Sequence, residues 1–162
     1  MKNPVKVATP TDKEIVVTRM FDAPRGPVWD SMTKCELLKR WCIGPPGGSM
    51  TVCENDVKAG GTFRQVWRGP DGREIGMHGT YREVVLHERM VRTESFDFAP
   101  KAEQLATLVL EEQRGRTQLT LTLLYPSKAA RDATLASGVA HGLEAGYDML
   151  DKLLATQPGG RR

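Results

Sequence analysis

Nowhere does this sequence run apolar for the roughly 20 residues that a membrane-spanning helix needs. Its opening, Met1-Lys2-Asn3-Pro4-Val5-Lys6, holds no apolar segment of the signal-peptide kind. Lys and Arg form no long run, and the terminal Arg161-Arg162 pair is too short to make a nucleic-acid stripe; the net charge is only +3. Cysteine is scarce. Cys35, Cys42 and Cys53 are odd in number and contain no C-x-x-C pair, so they read as reduced thiols rather than a disulfide framework or a zinc site. Those features together predict a cytoplasmic protein with no membrane span and no nucleic-acid partner.

Catalytic signatures are equally thin. His78, His87 and His141 stand apart without zincin spacing and read as surface or hydrogen-bonded histidines. No G-x-S-x-G elbow marks a nucleophile. Gly47-Gly48 and Gly60-Gly61 lack the lysine and strand context of a phosphate loop and read as turns. Glu144 and Asp148 fall four apart on a predicted helix, on a side read as solvated near Lys152. No metal and no cofactor is called for.

What the sequence does have is pattern. At 162 residues, 40% hydrophobic and 27% charged, it reads as one ordinary globular domain that buries roughly 70% of its unfolded surface. Residues up to Lys13 read as a loose lead-in, and the segment from Gln157 to Arg162 as a disordered tail. That leaves 14–156 as the domain, with 1–13 and 157–162 as flexible termini. Glu14 to Phe21 is β-branched and aromatic, a first strand. Pro24 to Met32 fits a short helix with both prolines in its first turn. Thr33-Lys34-Cys35-Glu36 fits a capping box for a second helix carrying Leu37, Leu38 and Trp41, stopped by Gly44-Pro45-Pro46-Gly47-Gly48.

A meander follows: Met50–Asn55, Thr62–Arg68, Glu74–Val85, Met90–Phe98, Leu105–Glu112 and Thr117–Tyr125. Leu119, Leu121 and Leu123 alternate with Gln118, Thr120 and Thr122, as in a sheet wet on one face. Pairing Trp67 with Ile75 sets Gln65 against Met77 and Phe63 against Gly79, and sends Arg64 and His78 to the other side. A slip of one residue would mix the two sets. A long helix from Ser127, its cap, to about Ala155 closes the chain with Leu135, Val139, Leu143, Leu150 and Leu153 on one stripe. Gly138, Gly142 and Gly146 each cost that helix roughly 1 kcal/mol against alanine. Two explanations stand: close approach to a sheet, or a face kept bare over a cavity. The fold class is α+β, with about seven antiparallel strands against a long C-terminal helix and two short helices after the first strand.

The segments Arg19-Met20-Phe21-Asp22-Ala23-Pro24-Arg25 with Val28-Trp29, Trp41 with Gly44-Pro45, and Gly60-Gly61-Thr62-Phe63-Arg64 resemble, in order, those of the activator of heat-shock-protein-90 ATPase homologue family. Asp71-Gly72, Gly79-Thr80-Tyr81-Arg82-Glu83-Val84-Val85, Glu88-Arg89-Met90-Val91 and Gly146-Tyr147 continue the series, with tyrosine where the family usually has tryptophan. The resemblance implies the helix-grip fold of START-type and pollen-allergen-like proteins, in which a curved sheet grips the last helix and ligands bind between them. Chaperone-activating members carry an additional N-terminal domain for which this sequence has no room, so the family name is not carried over as an activity.

The residues expected to line a cavity are Trp41, Phe63, Gln65, Trp67, Met77, Tyr81, Phe96, Gly142, Gly146, Tyr147 and Leu150; filling a solid core is the competing role for the same side chains. The leading expectation is binding of a small hydrophobic or aromatic, lipid-like molecule. A polyketide cyclase- or hydratase-like enzyme using Tyr81, Gln65 or His78 is the alternative from another class. A third is an interaction module meeting a chaperone or a second copy of itself through the Gly44-Pro45-Pro46 loop or a sheet edge.

Overall fold

A computed structural model describes residues 3–157. Eight strands among them make one antiparallel sheet: β1 (Lys6–Ala8), β2 (Glu14–Phe21), β3 (Ser49–Asn55), β4 (Thr62–Arg68), β5 (Glu74–Val85), β6 (Arg89–Phe96), β7 (Glu103–Gln113) and β8 (Arg116–Leu124). Spatial order is β1-β2-β8-β7-β6-β5-β4-β3. Strands β3 to β8 are therefore a continuous meander. The helices α1 (Arg25–Thr33) and α2 (Cys35–Trp41) carry the chain from β2 across to the far edge at β3. Both packing faces follow the period-two rule: Ile15, Val17 and Phe21 are buried on β2, Phe63, Gln65 and Trp67 on β4. The expected pairs Trp67↔Ile75, Gln65↔Met77 and Phe63↔Gly79 are all present.

The closing segment is two helices rather than one. Ser127 caps α3 (Lys128–Ala136), its Oγ accepting from the Ala130 amide at 3.1 Å. The chain then breaks at Gly138, whose φ of 84° is left-handed and cannot continue a helix. From there α4 (Val139–Ala155) lies on the sheet through Tyr147, Leu150, Leu153 and Leu154. Apolar spacing continues across the break, which is why periodicity alone joins the two pieces. No helix among the described residues is long and apolar enough to cross a membrane.

Two smaller expectations are corrected. The lead-in contains β1, whose Val7 pairs with Val17 at the sheet edge. Thr33 does not cap α2: its hydroxyl donates to the Trp29 carbonyl at 2.8 Å, and Lys34 occupies the cap position without a side-chain bond. The residues 158–162 of the expected tail lie outside the described residues.

The cysteines give the third correction. Cys35, first residue of α2, is bridged to Cys53 on β3 with their Cα atoms 5.7 Å apart; Cys42 is the free thiol. The bridge ties the helix that carries Leu38 and Trp41 to the sheet edge. A disulfide of this sort persists where the surroundings oxidise thiols. The bridged pair are 18 residues apart in sequence. Replacing both by Ser is expected to lower the unfolding free energy by roughly 3 kcal/mol, the loop-closure entropy of a ring of this order. Urea denaturation with and without dithiothreitol checks it. The wild type should weaken in reductant, while the doubly substituted chain should be weaker throughout and indifferent to it.

Candidate functional site

Between the inner face of the sheet and the helices lies a cavity of about 290 Å³. Its helical side is Met32 of α1, Leu38, Trp41 and Cys42 from α2 and the residue after it, and Val139, Leu143 and Tyr147 of α4. The sheet contributes Gln65 and Trp67 from β4, Met77 from β5, and Met90 and Phe96 from β6. Ala106 and Leu108 of β7 and Leu121 and Leu123 of β8 complete the apolar wall.

Both tryptophans are held by their polar edges. Trp41 Nε1 donates to the Ser31 carbonyl at 2.8 Å, and Trp67 Nε1 donates to the Cys42 carbonyl at 2.9 Å. Their rings are thus fixed as wall with no indole N–H left to satisfy. Tyr147 packs edge-on to Phe21, with ring centres 5.7 Å apart, and tilted against Trp41 at 6.0 Å.

One end of the cavity is polar. Arg92, Glu94 and Gln104 line it. Arg92 Nε donates to Glu94 Oε2 at 2.9 Å, and Gln104 Nε2 donates to Glu94 Oε1 at 2.8 Å. Arg92 Nη1 reaches the Tyr81 hydroxyl at 3.3 Å, and that hydroxyl donates to Asn55 Oδ1. Asn55 Nδ2 in turn donates to the Thr33 carbonyl at 2.8 Å. The guanidinium carbon stands 3.8 Å from the centre of the Phe63 ring, a cation–π contact.

Titration follows from burial. It pushes the Cys42 thiol up to about 11, more than nearby Arg92 offsets, and raises the Tyr147 phenol far above its ordinary value. Burial works against the Arg92 charge, but Glu94 and the Tyr81 oxygen overcome it and raise its pKa. Thiol and phenol are therefore neutral at pH 7, and the guanidinium is charged.

Of the residues expected at the site, Trp41, Gln65, Trp67, Met77, Phe96 and Tyr147 come together on the wall. Phe63 and Tyr81 stand behind it, buried, one under the Arg92 guanidinium and the other bonded to it. Leu150 is in the solid core. Gly142 is exposed and a Cβ there would meet nothing within 4 Å; one at Gly146 would touch Trp41 at an ordinary 3.8 Å. Neither glycine bares the cavity, and neither presses on the sheet.

His78 is on the outer face, where Asp97 takes its Nδ1 at 2.9 Å and two nitrogens of Arg64 at 3.1 and 2.7 Å. Hydrogen bonds from Arg64 and His78 hold the Asp97 carboxyl down to about 2. That cluster is remote from the cavity chemistry expected of His78. A broader hollow of about 650 Å³ runs along β4 beside it, lined by Phe63 and Gly79 together with polar residues such as Glu54, Thr62 and Arg64. Among the described residues no three of His, Cys, Asp and Glu gather as a metal site.

Sequence reasoning missed Arg92, Glu94 and Gln104. The available signal was parity: Met90 and Phe96 point inward on β6, and period two puts Arg92 and Glu94 on that same face.

A family model described as Activator of Hsp90 ATPase homolog 1-like protein matches residues 22–155. A Rhodobacter sphaeroides protein of known crystal structure is 32% identical, with 95% of this chain and 99% of that one covered and a TM-score of 0.90. A Mycobacterium smegmatis protein is 25% identical over 96% and 99% of the two chains, with a TM-score of 0.83. A Nitrosomonas europaea protein at 24% identity, covering 91% and 97%, shares the fold with a TM-score of 0.81. No curated protein matches the chain.

Proposed function

We propose, from the premise that this chain belongs to the Activator of Hsp90 ATPase homolog 1-like family, that it binds one compact, largely apolar molecule between its sheet and its last helix. The observation that carries the reading is the aromatic cavity itself. Trp41, Trp67, Phe96 and Tyr147 face one space, and the two indoles are tied down at their N–H groups instead of collapsing into it. Small-molecule sites are typically about 300–1,000 Å³, apolar-walled and furnished with a few polar groups. At about 290 Å³ this cavity is at the small end of that range, which favours a molecule of one or two rings over a long acyl chain.

Ala106 supplies the test, because its methyl sits on the wall and a larger side chain there would grow into the space. Titration with naphthalene should shift the indole N–H resonances of Trp41 and Trp67 and leave that of Trp29, which is not on the wall. Ala106→Phe should keep the far-ultraviolet circular dichroism and lose at least about tenfold in affinity, equivalent to 1.4 kcal/mol. No saturable binding by the wild type, or equal binding by a folded Ala106→Phe chain, would overturn the reading.

A further inference from the structure

We infer that the molecule held here is uncharged and carries a hydrogen-bonding head, such as a hydroxyl or a carbonyl, which docks on the Arg92–Glu94–Gln104 end of the cavity. This rests on the cavity reading above and names the chemical class of ligand. Three observations lead to it.

The first is charge. Among the residues lining the cavity, Arg92 and Glu94 are the only charged ones, and they are opposite. Their side chains are 17% and 9% exposed, joined at 2.9 Å. The end of the cavity is therefore dipolar with no net charge. A ligand carboxylate would bring an unbalanced negative charge out of water, or would compete with Glu94 for one guanidinium and strand whichever carboxylate lost. Stranding a buried charge is the costly half of a buried ion pair. A ligand ammonium meets the mirror problem at Glu94. Only a neutral head leaves the pair intact.

The second is bonding capacity. Arg92 has five N–H donors. Nε and Nη2 address Glu94 and one hydrogen of Nη1 addresses Tyr81, so one hydrogen on each Nη is left. Glu94 accepts from Arg92 on Oε2 and from Gln104 on Oε1, and each oxygen has two lone-pair positions. The pair can thus give to a ligand oxygen and accept from a ligand hydroxyl without surrendering its own bonds. Gln65, buried on the same wall, adds an amide of both kinds.

The third is rigidity. The guanidinium has the Phe63 ring against it, and the chain Arg92–Tyr81–Asn55–Thr33 ties it to the end of α1. A head group arrives at donors already in place, so little ordering cost falls on binding.

Three probes that share one ring system test this at pH 7: naphthalene, 2-naphthol, which is neutral there, and 2-naphthoate, an anion. The wild type should bind 2-naphthol about tenfold more tightly than naphthalene, and 2-naphthoate more weakly than either. Glu94→Gln removes one negative charge while keeping an amide to meet Gln104 and Arg92. It should reverse the order, with 2-naphthoate becoming the tightest ligand. Calorimetry on both folded chains reads the result. A wild-type preference for 2-naphthoate, or an order that Glu94→Gln leaves unchanged, overturns the proposal while naphthalene binding keeps the cavity reading alive. Failure of all three to bind overturns both.

Discussion

Gly79→Ala is expected to cost the fold about 4 kcal/mol, far more than its single added methyl suggests. A Cβ at Gly79 would stand 1.8 Å from the Thr93 carbonyl oxygen and 2.7 Å from Cε1 of Phe63. Phe63 is a side chain and can yield a little, but Thr93 offers main chain. It sits on β6 where the pairing with β5 is interrupted: His78 faces Ser95, and the next paired residue, Tyr81, faces Arg92. In between, the Thr80 amide donates to the Thr93 hydroxyl at 3.0 Å in place of a main-chain acceptor.

The two strands are therefore pressed together at a position where no side chain projects from β5. Relieving the clash requires β6 to move, and Thr93 lies between Arg92 and Glu94. Overpacking commonly costs about 1–3 kcal/mol where side chains can adjust, and the larger losses come where they cannot. Urea denaturation measures the effect; a loss under 1 kcal/mol would show that the strands part easily there.

Gly79 also illustrates what could be read beforehand. Its place opposite Phe63 followed from binary patterning, because a one-residue slip would have turned Gln65 and His78 to the wrong sides. The same logic placed most strand bounds within a residue or two, and the hydroxyl at Ser127 announced its own helix start. What escaped was of another kind. Apolar spacing runs through Ser137-Gly138 unbroken, so only a backbone dihedral separates α3 from α4. Strand β1 is three residues long, too short for any period to register.

The Cys35–Cys53 bridge joins residues with no motif between them, and an odd cysteine count concealed it. Charged residues in strands are ordinarily taken as solvent-facing, which hides the burial of Arg92, Glu94 and Arg19 although each shares parity with buried neighbours. Their burial depends on partners elsewhere in the fold: Glu94 on Gln104, and Arg19 on a residue 129 positions away. Local rules see period and composition; they do not see which charges will meet.

Asp148→Ala is expected to lower stability by about 3 kcal/mol or more, and adding Arg19→Met should restore part of it. Arg19 sits on the inner face of β2 between Val17 and Phe21, with a side chain 0% exposed. Its Nη1 donates to Asp148 Oδ1 at 2.8 Å, Asp151 is 4.0 Å from Nη2, and the guanidinium carbon is 5.3 Å from the Phe21 ring centre. Asp148, expected on a solvated side near Lys152, instead turns to the sheet and ties α4 to β2.

The two ends of this pair are unequal, because the Asp148 side chain keeps 22% exposure and the Asp151 side chain 17%. Losing Arg19 returns carboxylates to partial hydration, whereas losing Asp148 leaves a cation in the interior with one partner at the limit of reach. Breaking a buried pair from one side typically costs about 3–5 kcal/mol, while replacing both partners by apolar groups is often nearly neutral. The double variant Arg19→Met, Asp148→Ala should therefore be more stable than Asp148→Ala alone, a sign reversal that simple loss of contacts does not produce. Denaturation of the two single variants and the double gives the comparison. If the double proves the least stable of the three, the cost resides in lost packing around α4 and not in the stranded guanidinium.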